Sequence, residues 1–235
     1  MIKEAMQYIA GLANKEVKEV GGQIYSTGAL ELVQEPVTST LKVNTLSALV
    51  TYLMDNYDKL EPVLVHVVSE TEVRVLSAFN RDKRRNVMLQ ASAVLPDINF
   101  ERFMDVENFN IQLQSCFVTN DDRTAVLKLV GNIKEEAGNS YADDGVSQQV
   151  TAKSGVASLE KVTVPNPVKL KPFRTFIDIT QPECSFVFRL QSGPRAALFE
   201  ADGGAWKLQA MASIKEHLYA ELEDEIKSGF VTIIA

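Results

Sequence analysis

The sequence predicts an α+β fold with mixed or antiparallel sheets, about four to five helices, and a long polar loop or arm at residues 131–155. Short apolar runs rich in β-branched residues are strand-like, and several are joined by turn residues alone. Other segments space their apolar residues as one face of a helix does. The regular strand–helix alternation of a doubly wound parallel sheet is missing, which leaves α+β as the class.

Length and composition favour one folded unit. The chain has 235 residues, of which 46% are hydrophobic and 23% charged, as in globular proteins rather than disordered ones. A chain of this length can form one large domain or two small ones. Because no linker forces a division, we expect a single domain over residues 1–235, with any subdivision falling near 131–155.

The N-terminal part predicts two helices and a hairpin. Residues 2–12 place apolar side chains on one helical face, and residues 22–33 are typical of a hairpin. The second helix is clearer, with Asn44 or Thr45 as its N-cap. Its expected buried face consists of Leu46, Leu49, Val50, Leu53, Met54 and Tyr57.

Three strands follow in the middle of the chain. Residues 62–79 predict a hairpin that turns at Ser69–Thr71. A further strand over residues 87–95 ends at Pro96, since proline interrupts strand pairing.

Two more helices are expected before the polar stretch. Residues 98–118 fit both a strand-like alternation and a helix, and their length and the capping residue Asp105 favour the helix. The next helix begins near Asn120 or Asp121. Its inward residues are expected to be Leu127 and Val130.

The C-terminal part predicts strands and one long helix. Strand-like runs cover residues 156–164, 168–179 and 184–191, and another strand reaches Phe199. A turn at Asp202–Gly204 leads into the helix, which Gly229 terminates. Residues 230–235 form a terminal strand that pairs into a sheet or with a neighbouring subunit. The core face of the helix is expected to consist of Met211, Ile214, Leu218 and Leu222.

Charge and cysteine content narrow the function classes. The net charge is −7, whereas proteins that bind nucleic acid through its phosphates are usually basic. Cys116 and Cys184 are far apart and no Cys/His cluster exists, so neither a disulfide framework nor a zinc site is expected. Without a signal-peptide pattern or a membrane-length apolar run, we expect a cytoplasmic protein with no membrane partner, metal or cofactor.

The stretch NSYADDGVSQQVTAKSG, residues 139–155, is small, polar and acidic. Its Asp-Asp-Gly tripeptide resembles part of a calcium loop, but that alignment puts Thr151 where the loop requires Glu, so we interpret the tripeptide as a turn. Long loops without structure are uncommon unless they bind something. We therefore predict an arm that orders on a neighbouring subunit. Its candidate contact residues are Tyr141, Asp143, Asp144, Val146, Gln148, Val150 and Lys153.

Two other features are candidate contacts for a ligand or nucleic acid. The only dense basic run contains Arg81, Lys83, Arg84 and Arg85, although a solvated loop between two strands is the commoner interpretation. The only tryptophan, Trp206, follows a turn at a helix start, where backbone amides can hold an anion. Packing of its ring into the core is the simpler interpretation.

Several strings resemble a known family. They are IQLQSCFV, LKLVGNIKEE, YADDGVSQQVTAKSGV, VPNPVKLKPFRTF and ALFEADGGAWKL. On these strings the sequence resembles the YfdQ-like family of phage and prophage proteins, a domain of unknown function, and the similarity extends over nearly the whole chain. The resemblance implies an intracellular viral accessory protein and supplies no catalytic residues.

Three functions stay open at this point. The first is a non-enzymatic phage protein that self-assembles into a homo-oligomer, or a shell-like particle, through its arm. The second is an accessory factor in phage DNA replication, recombination or counter-defence, which binds nucleic acid, a nucleotide or a host protein. The third, ranked last, is a metal-dependent hydrolase that uses Asp143, Asp144 and Asp202. No nucleotide-binding or nucleophile motif is present, so we predict no catalytic residue.

Overall fold

The structure is a computed structural model that describes residues 2–13, 16–26, 31–131, 141–143, 148–154, 158–163, 166–191, 193 and 195–235. Its fold is α+β, as the sequence predicts. The helices of the described residues are α1 (Ile2–Ala13), α2 (Leu46–Asp55), α3 (Val106–Cys116), α4 (Asp121–Gly131), α5 (Ala205–Glu221) and α6 (Glu223–Lys227). The last two replace one predicted helix, because the chain leaves helical geometry at Leu222.

The strands of the described residues form four sheets. They are β1 (Val17–Val20), β2 (Gln23–Ser26), β3 (Glu31–Leu32), β4 (Leu41–Val43), β5 (Val63–Ser69), β6 (Glu72–Leu76), β7 (Val87–Ser92), β8 (Met104–Asp105), β9 (Tyr141–Asp143), β10 (Gln148–Ser154), β11 (Ser158–Thr163), β12 (Val168–Leu170), β13 (Cys184–Gln191), β14 (Arg195–Glu200) and β15 (Val231–Ile234). The two small sheets have the orders β1-β2-β3 and β11-β10-β9.

The largest sheet has five strands in the order β15-β5-β6-β7-β4. Strands β5, β6 and β7 are antiparallel neighbours, whereas β15 runs parallel to β5 and β4 parallel to β7. Because side chains alternate between the faces of a strand, one face packs against α2 and α5. Residues of the opposite face, such as His66 and Arg74, are half-buried. The core on the helix side includes Leu49, Val65, Val75, Leu89 and Ile214.

A second core forms around the four-stranded sheet, whose order is β12-β13-β14-β8 and whose pairs are all antiparallel. Helix α5 belongs to both cores, since Trp206 and Ala210 pack in this one and Ile214 and Leu218 in the other. This helix therefore ties the two cores together. The second core also includes Phe109, Leu113, Val126, Phe186 and Leu198.

Residues 171–182, the crossing segment, connect the two cores. The sequence predicts a strand here, which is wrong beyond Leu170. Residues 171–173 form only an isolated bridge with residues 116–118, and from Arg174 onward side chains rather than a strand ladder bind the backbone. Gln181 Oε1 accepts hydrogen bonds from the backbone N–H groups of Arg174 (3.0 Å) and Thr175 (3.2 Å), and Gln181 Nε2 donates to the Phe176 carbonyl (3.0 Å). The Thr175 hydroxyl donates to the Glu70 carbonyl (2.5 Å), which fixes the segment to the β5–β6 turn.

Asp178 of the crossing segment holds the start of α2. Its carboxylate accepts hydrogen bonds from the backbone N–H groups of Leu46 (3.1 Å) and Ser47 (3.0 Å) and from the Ser47 hydroxyl (2.5 Å). Burial alone would raise the pKa of Asp178, but these hydrogen bonds outweigh it and lower the pKa. Thr45 is the N-cap, as one of the two predicted residues, and accepts from the Ala48 N–H (3.2 Å). Two interactions therefore satisfy the first turn of α2.

Other predicted helix features divide into confirmed and wrong. Asp105 caps α3 and Asn120 caps α4, each through a hydrogen bond to a backbone N–H of the first turn (2.9 and 2.8 Å). The expected burial of Met54 and Tyr57 is wrong, since they are 57% and 86% exposed. Tyr57 is exposed because α2 ends at Asp55 and Asn56 adopts a left-handed conformation, which turns the chain away from the core, whereas Met54 lies within α2 beside its buried face of Leu46, Leu49, Val50 and Leu53.

Candidate functional site

The predicted basic run lies in the loop between β6 and β7, and its side chains contact the chain itself. Arg81 Nη2 donates to the Val33 carbonyl (3.2 Å), and Arg84 donates to the side chain of Gln34. Arg85 Nη1 donates to the Ser77 carbonyl (2.7 Å) and its guanidinium lies 4.0 Å from the centre of the Phe79 ring. Lys83 is exposed and has a left-handed backbone with φ of 58°. Three of the four basic side chains therefore hold the loop in place: Arg81 and Arg84 bind residues 33–34, and Arg85 binds Ser77 at the start of the loop.

Trp206 does not join this loop. The basic loop follows one end of β6, whereas Glu70, whose carboxylate pairs with Lys207 beside Trp206 (3.8 Å), precedes the other end. A strand of this length separates its ends by roughly 15 Å. The residues that the sequence suggests as one ligand-binding set are thus placed at two different locations.

Trp206 is 8% exposed and packs in the core of the four-stranded sheet, as the simpler interpretation expected. Its ring contacts a charged residue that the sequence analysis missed: the guanidinium carbon of Arg174 lies 4.3 Å from the centre of the Trp206 ring. The indole Nε1 is buried, and no described residue accepts a hydrogen bond from it. Since a buried tryptophan N–H normally finds a partner, this donor needs an explanation.

Arg174 is 6% exposed, which is rare for an arginine. Its guanidinium lies over the rings of Phe100 (4.9 Å), Phe186 (5.2 Å) and Trp206. Nη1 donates to Glu200 Oε1 at 2.7 Å, which partly balances the charge. Nε and Nη2 are buried, and no described residue accepts from them.

Arg174 and Trp206 both line a cavity of about 310 Å³. Its walls come from the β5–β6 turn, the segment after β7, the crossing segment, the end of β14 and the start of α5. Apolar walls and a few convergent polar groups are typical of small-molecule sites, and the volume lies at the small end of their range. The lining residues are Glu70, Thr71, Leu95, Pro96, Asp97, Ile98, Phe100, Phe173, Arg174, Glu200 and Trp206.

The nearest thiol is chemically quiet. Burial raises the pKa of Cys184 to about 12; the charge of Arg174, the next largest effect, opposes this, and Asp202 and Glu200 raise the pKa further. Because the thiolate is the nucleophilic form, Cys184 has little nucleophilic character at neutral pH. Both cysteines are free and buried, in agreement with the predicted lack of a disulfide. The arrangement is suited to binding rather than covalent chemistry.

Of the three carboxylates of the predicted hydrolase, the structure describes the surroundings of Asp202 alone. Asp202 Oδ1 accepts from the Gly204 N–H (3.1 Å) in the turn before α5. Asp143 lies in β9, and Asp144 falls outside the described residues. Within the described ranges there is no group of three or more His, Cys, Asp or Glu side chains that could hold a metal ion.

The predicted arm residues are placed mostly in strands. Tyr141 and Asp143 lie in β9, and Gln148, Val150 and Lys153 lie in β10, the central strand of the small sheet. Residue 150 pairs with 141 on one side and with 162 on the other, and residue 148 pairs with 143. Strand β11 pairs with residues 149–154 of β10, whereas β9 pairs with residues 148–150, so within the described residues β9, β11 and the part of β10 beyond residue 150 each have an edge for a further strand. Asp144 and Val146 fall outside the described residues.

The predicted terminal strand, β15, pairs into the five-stranded sheet at its edge. The sequence left two alternatives for this strand, pairing into a sheet or pairing with another subunit. One side of β15 pairs into the sheet, as the first alternative expects. In the described part of the chain, the other side has no neighbouring strand.

Sequence reasoning missed Arg174 because it lies in a run that resembles a strand, KPFRTFID. If this run were a strand, Arg174 would be one of several side chains at a sheet edge, and nothing in the sequence would predict its burial. The signal that could have found it is a single arginine between two phenylalanines and two prolines, since arginine stacks on aromatic rings.

No helix of the described residues is long and apolar enough to cross a membrane. Comparison of the chain with protein-family models, with curated proteins and with solved structures gave no match. The resemblance to the YfdQ-like family therefore stays a prediction.

Proposed function

We propose that this chain is a non-enzymatic accessory protein that self-assembles into a homo-oligomer through the open edge of its five-stranded sheet. The observation that carries the proposal is the position of β15 at that edge. The family resemblance supports a phage or prophage setting for this role. The β9–β11 sheet, of which β9 and β10 lie in the stretch predicted to be an arm, supplies further edges for contacts between subunits.

The backbone of β15 has hydrogen-bonding groups for one more strand. The Val63 N–H donates to the Phe230 carbonyl (2.8 Å), which sets the phase of the parallel ladder between β15 and β5. Alternate residues of a strand direct their backbone groups to opposite neighbours, so Val231 and Ile233 direct theirs away from β5. An unpaired row of this kind is a template for strand addition.

The two edges of the five-stranded sheet differ in their protection against pairing with a further strand. Edge strands of monomeric proteins commonly carry lysine, proline or a bulge that discourages pairing. At the β4 edge, Lys42 is exposed. The β15 edge reads VTII, carries none of these features, and leaves Ile234 43% exposed. Two β15 strands related by a twofold axis would join two such sheets into one.

The test is the mass of the purified protein in solution, measured by light scattering over a range of concentrations. We expect the wild type to form a discrete oligomer. The double variant Thr232→Lys and Ile234→Lys places two charges at the edge, on side chains that point away from the buried core, and is expected to give the monomer mass of 26.0 kDa.

A matched control is Ile177→Lys, which changes a 79% exposed isoleucine in the crossing segment and is expected to keep the wild-type mass. A wild type that stays monomeric at high concentration would end the proposal. An oligomer that survives the double variant would place the interface away from β15.

A further inference from the structure

We propose that the cavity beside Arg174 and Trp206 binds a small ligand through a carboxylate group, with an apolar body attached to it. This binding site is independent of the assembly proposed above. It rests on three buried donors, on the charges around them, and on the apolar wall opposite.

The two unpaired donors of Arg174 lie on one edge of its guanidinium group. The Nε–H and Nη2–H bonds of an arginine point in the same direction, from one edge of the guanidinium, and match the two oxygens of a carboxylate or phosphate. In Arg174 this edge is the one that has no acceptor among the described residues, while Nη1 is used by Glu200. The indole Nε1–H of Trp206 adds a third donor to the same cavity.

A purely structural role for Arg174 leaves the Nε–H and Nη2–H groups of this edge without acceptors. The cation–π contacts with Phe100, Phe186 and Trp206 stabilise the positive charge of the guanidinium. The N–H bonds are not satisfied by these contacts, and buried donors are nearly always hydrogen-bonded. A ligand that brings two oxygens to this edge would satisfy them.

The surrounding charges select the kind of anion. Glu200 already pairs with Arg174, Glu70 pairs with Lys207, and Asp97 adds a further carboxylate to the lining. Like charges nearby oppose a second negative charge on the ligand. A phosphate monoester carries about −1.5 to −2 at neutral pH, whereas a carboxylate carries a single charge, so the carboxylate fits better.

The rest of the cavity suits an apolar body. Leu95, Pro96 and Ile98 come from the segment after β7, and Phe173 lies next to Arg174 on the crossing segment. The first turn of α5, which contains Trp206, directs the positive end of the helix dipole toward the same region. An aromatic or branched aliphatic carboxylate matches both the donors of Arg174 and Trp206 and the apolar wall of the cavity.

The experiment uses the intrinsic fluorescence of Trp206, which is the only tryptophan and so reports on the cavity alone. The probe is benzoate, with benzamide as its neutral counterpart and phenyl phosphate as its dianionic counterpart. We expect a saturable change with benzoate and binding weaker by about tenfold for the other two, because each loses either the charge-assisted pair or the charge match.

Two arms distinguish the sources of the carboxylate. One uses benzoate and related free acids, and the other uses a tripeptide with a free C-terminus beside the same tripeptide with a C-terminal amide. Preference for the free-acid tripeptide over benzoate would identify a polypeptide C-terminus as the ligand. Preference for benzoate would identify a small free acid.

The decisive variant is Arg174→Lys, which keeps the charge and removes the paired donors, and we expect it to weaken benzoate binding by about tenfold. Arg85→Lys in the basic loop is the matched control and should bind as the wild type does. Circular dichroism checks the fold of Arg174→Lys. If that variant fails to fold, Trp206→Phe removes one donor while keeping a ring, and calorimetry should show several-fold weaker binding.

Several results would overturn the site. One is the lack of any saturable fluorescence change with every carboxylate tested. Others are unchanged benzoate binding in Arg174→Lys, unchanged binding in Trp206→Phe, or an equal loss in Arg85→Lys.

Discussion

Replacing Gln181 by methionine should cost more stability than any comparable glutamine replacement in the chain. The Gln181 side chain is buried and satisfies the N–H groups of Arg174 and Thr175 and the carbonyl of Phe176. Methionine has a similar size and no strong donor or acceptor. The variant Gln181→Met therefore leaves the N–H groups of Arg174 and Thr175 without partners and removes one of the two hydrogen bonds to the Phe176 carbonyl, which also accepts from the Ile179 N–H (3.4 Å), while preserving the packing.

The size of the effect follows from these lost hydrogen bonds. A buried polar group left without its partner costs about 1–3 kcal/mol. Allowing for partial relaxation of the segment, we expect Gln181→Met to lower the free energy of unfolding by about 3–5 kcal/mol, a large part of the ~5–15 kcal/mol that a typical protein has.

Urea denaturation followed by circular dichroism measures this change. The matched control is Gln114→Met, at an exposed position of α3, which should change the free energy by less than about 0.5 kcal/mol. A loss below about 1 kcal/mol for Gln181→Met would refute the reasoning, because it would mean that the two N–H groups find other partners at little cost. Such a result would also remove Gln181 as the residue that positions Arg174.

Three further predictions test other parts of the structure. Asp178→Asn should destabilise the protein by about 1 kcal/mol, because the Asp178 carboxylate binds the start of α2. Since the pKa of Asp178 is lowered in the folded protein, this difference should persist above pH ~4 and shrink as the pH falls through that lowered pKa. Urea titrations in the acid range would check this. A thiol reagent should leave Cys116 and Cys184 unmodified in the native protein and label both in urea, and rapid native labelling would contradict their burial. Gly229→Ala should cost about 1 kcal/mol in thermal unfolding, since φ is 79° there, and no loss would mean that the turn after α6 can rearrange.

The sequence predicted the parts of the fold that depend on periodicity and local capping. The stripe of Ile214, Leu218 and Leu222 is buried as expected, because a helix face repeats regularly along the chain. Asp105 correctly decided between helix and strand for α3, since its side chain can accept from the first-turn N–H groups. These signals are local, and a single sequence contains all of them.

Interactions between distant residues could not be predicted in the same way. The crossing segment alternates apolar and polar residues as a strand does, and only the position of Gln181 in the folded chain shows why it is not one. Trp206 was a candidate from the sequence, but its neighbour Arg174 became visible only when β13, α5 and the crossing segment were brought together. The basic run looked like a binding surface because its partners, at residues 33–34, lie far away in the sequence.

The position of β15 and α5 has a consequence for synthesis on the ribosome. Strands β5, β6 and β7 emerge early, but the helix that covers the β5 side of their apolar face and the strand that pairs with β5 come from residues 205–234. Helix α2 emerges earlier and covers the β7 side of that face, but until residues 205–234 emerge the nascent chain exposes the β5 side, which includes Val65. Contacts between such distant segments form slowly, and exposed sheet surface attracts chaperones or other nascent chains. Ribosome pausing or a stop codon before α5 should therefore give aggregation rather than a shorter folded protein.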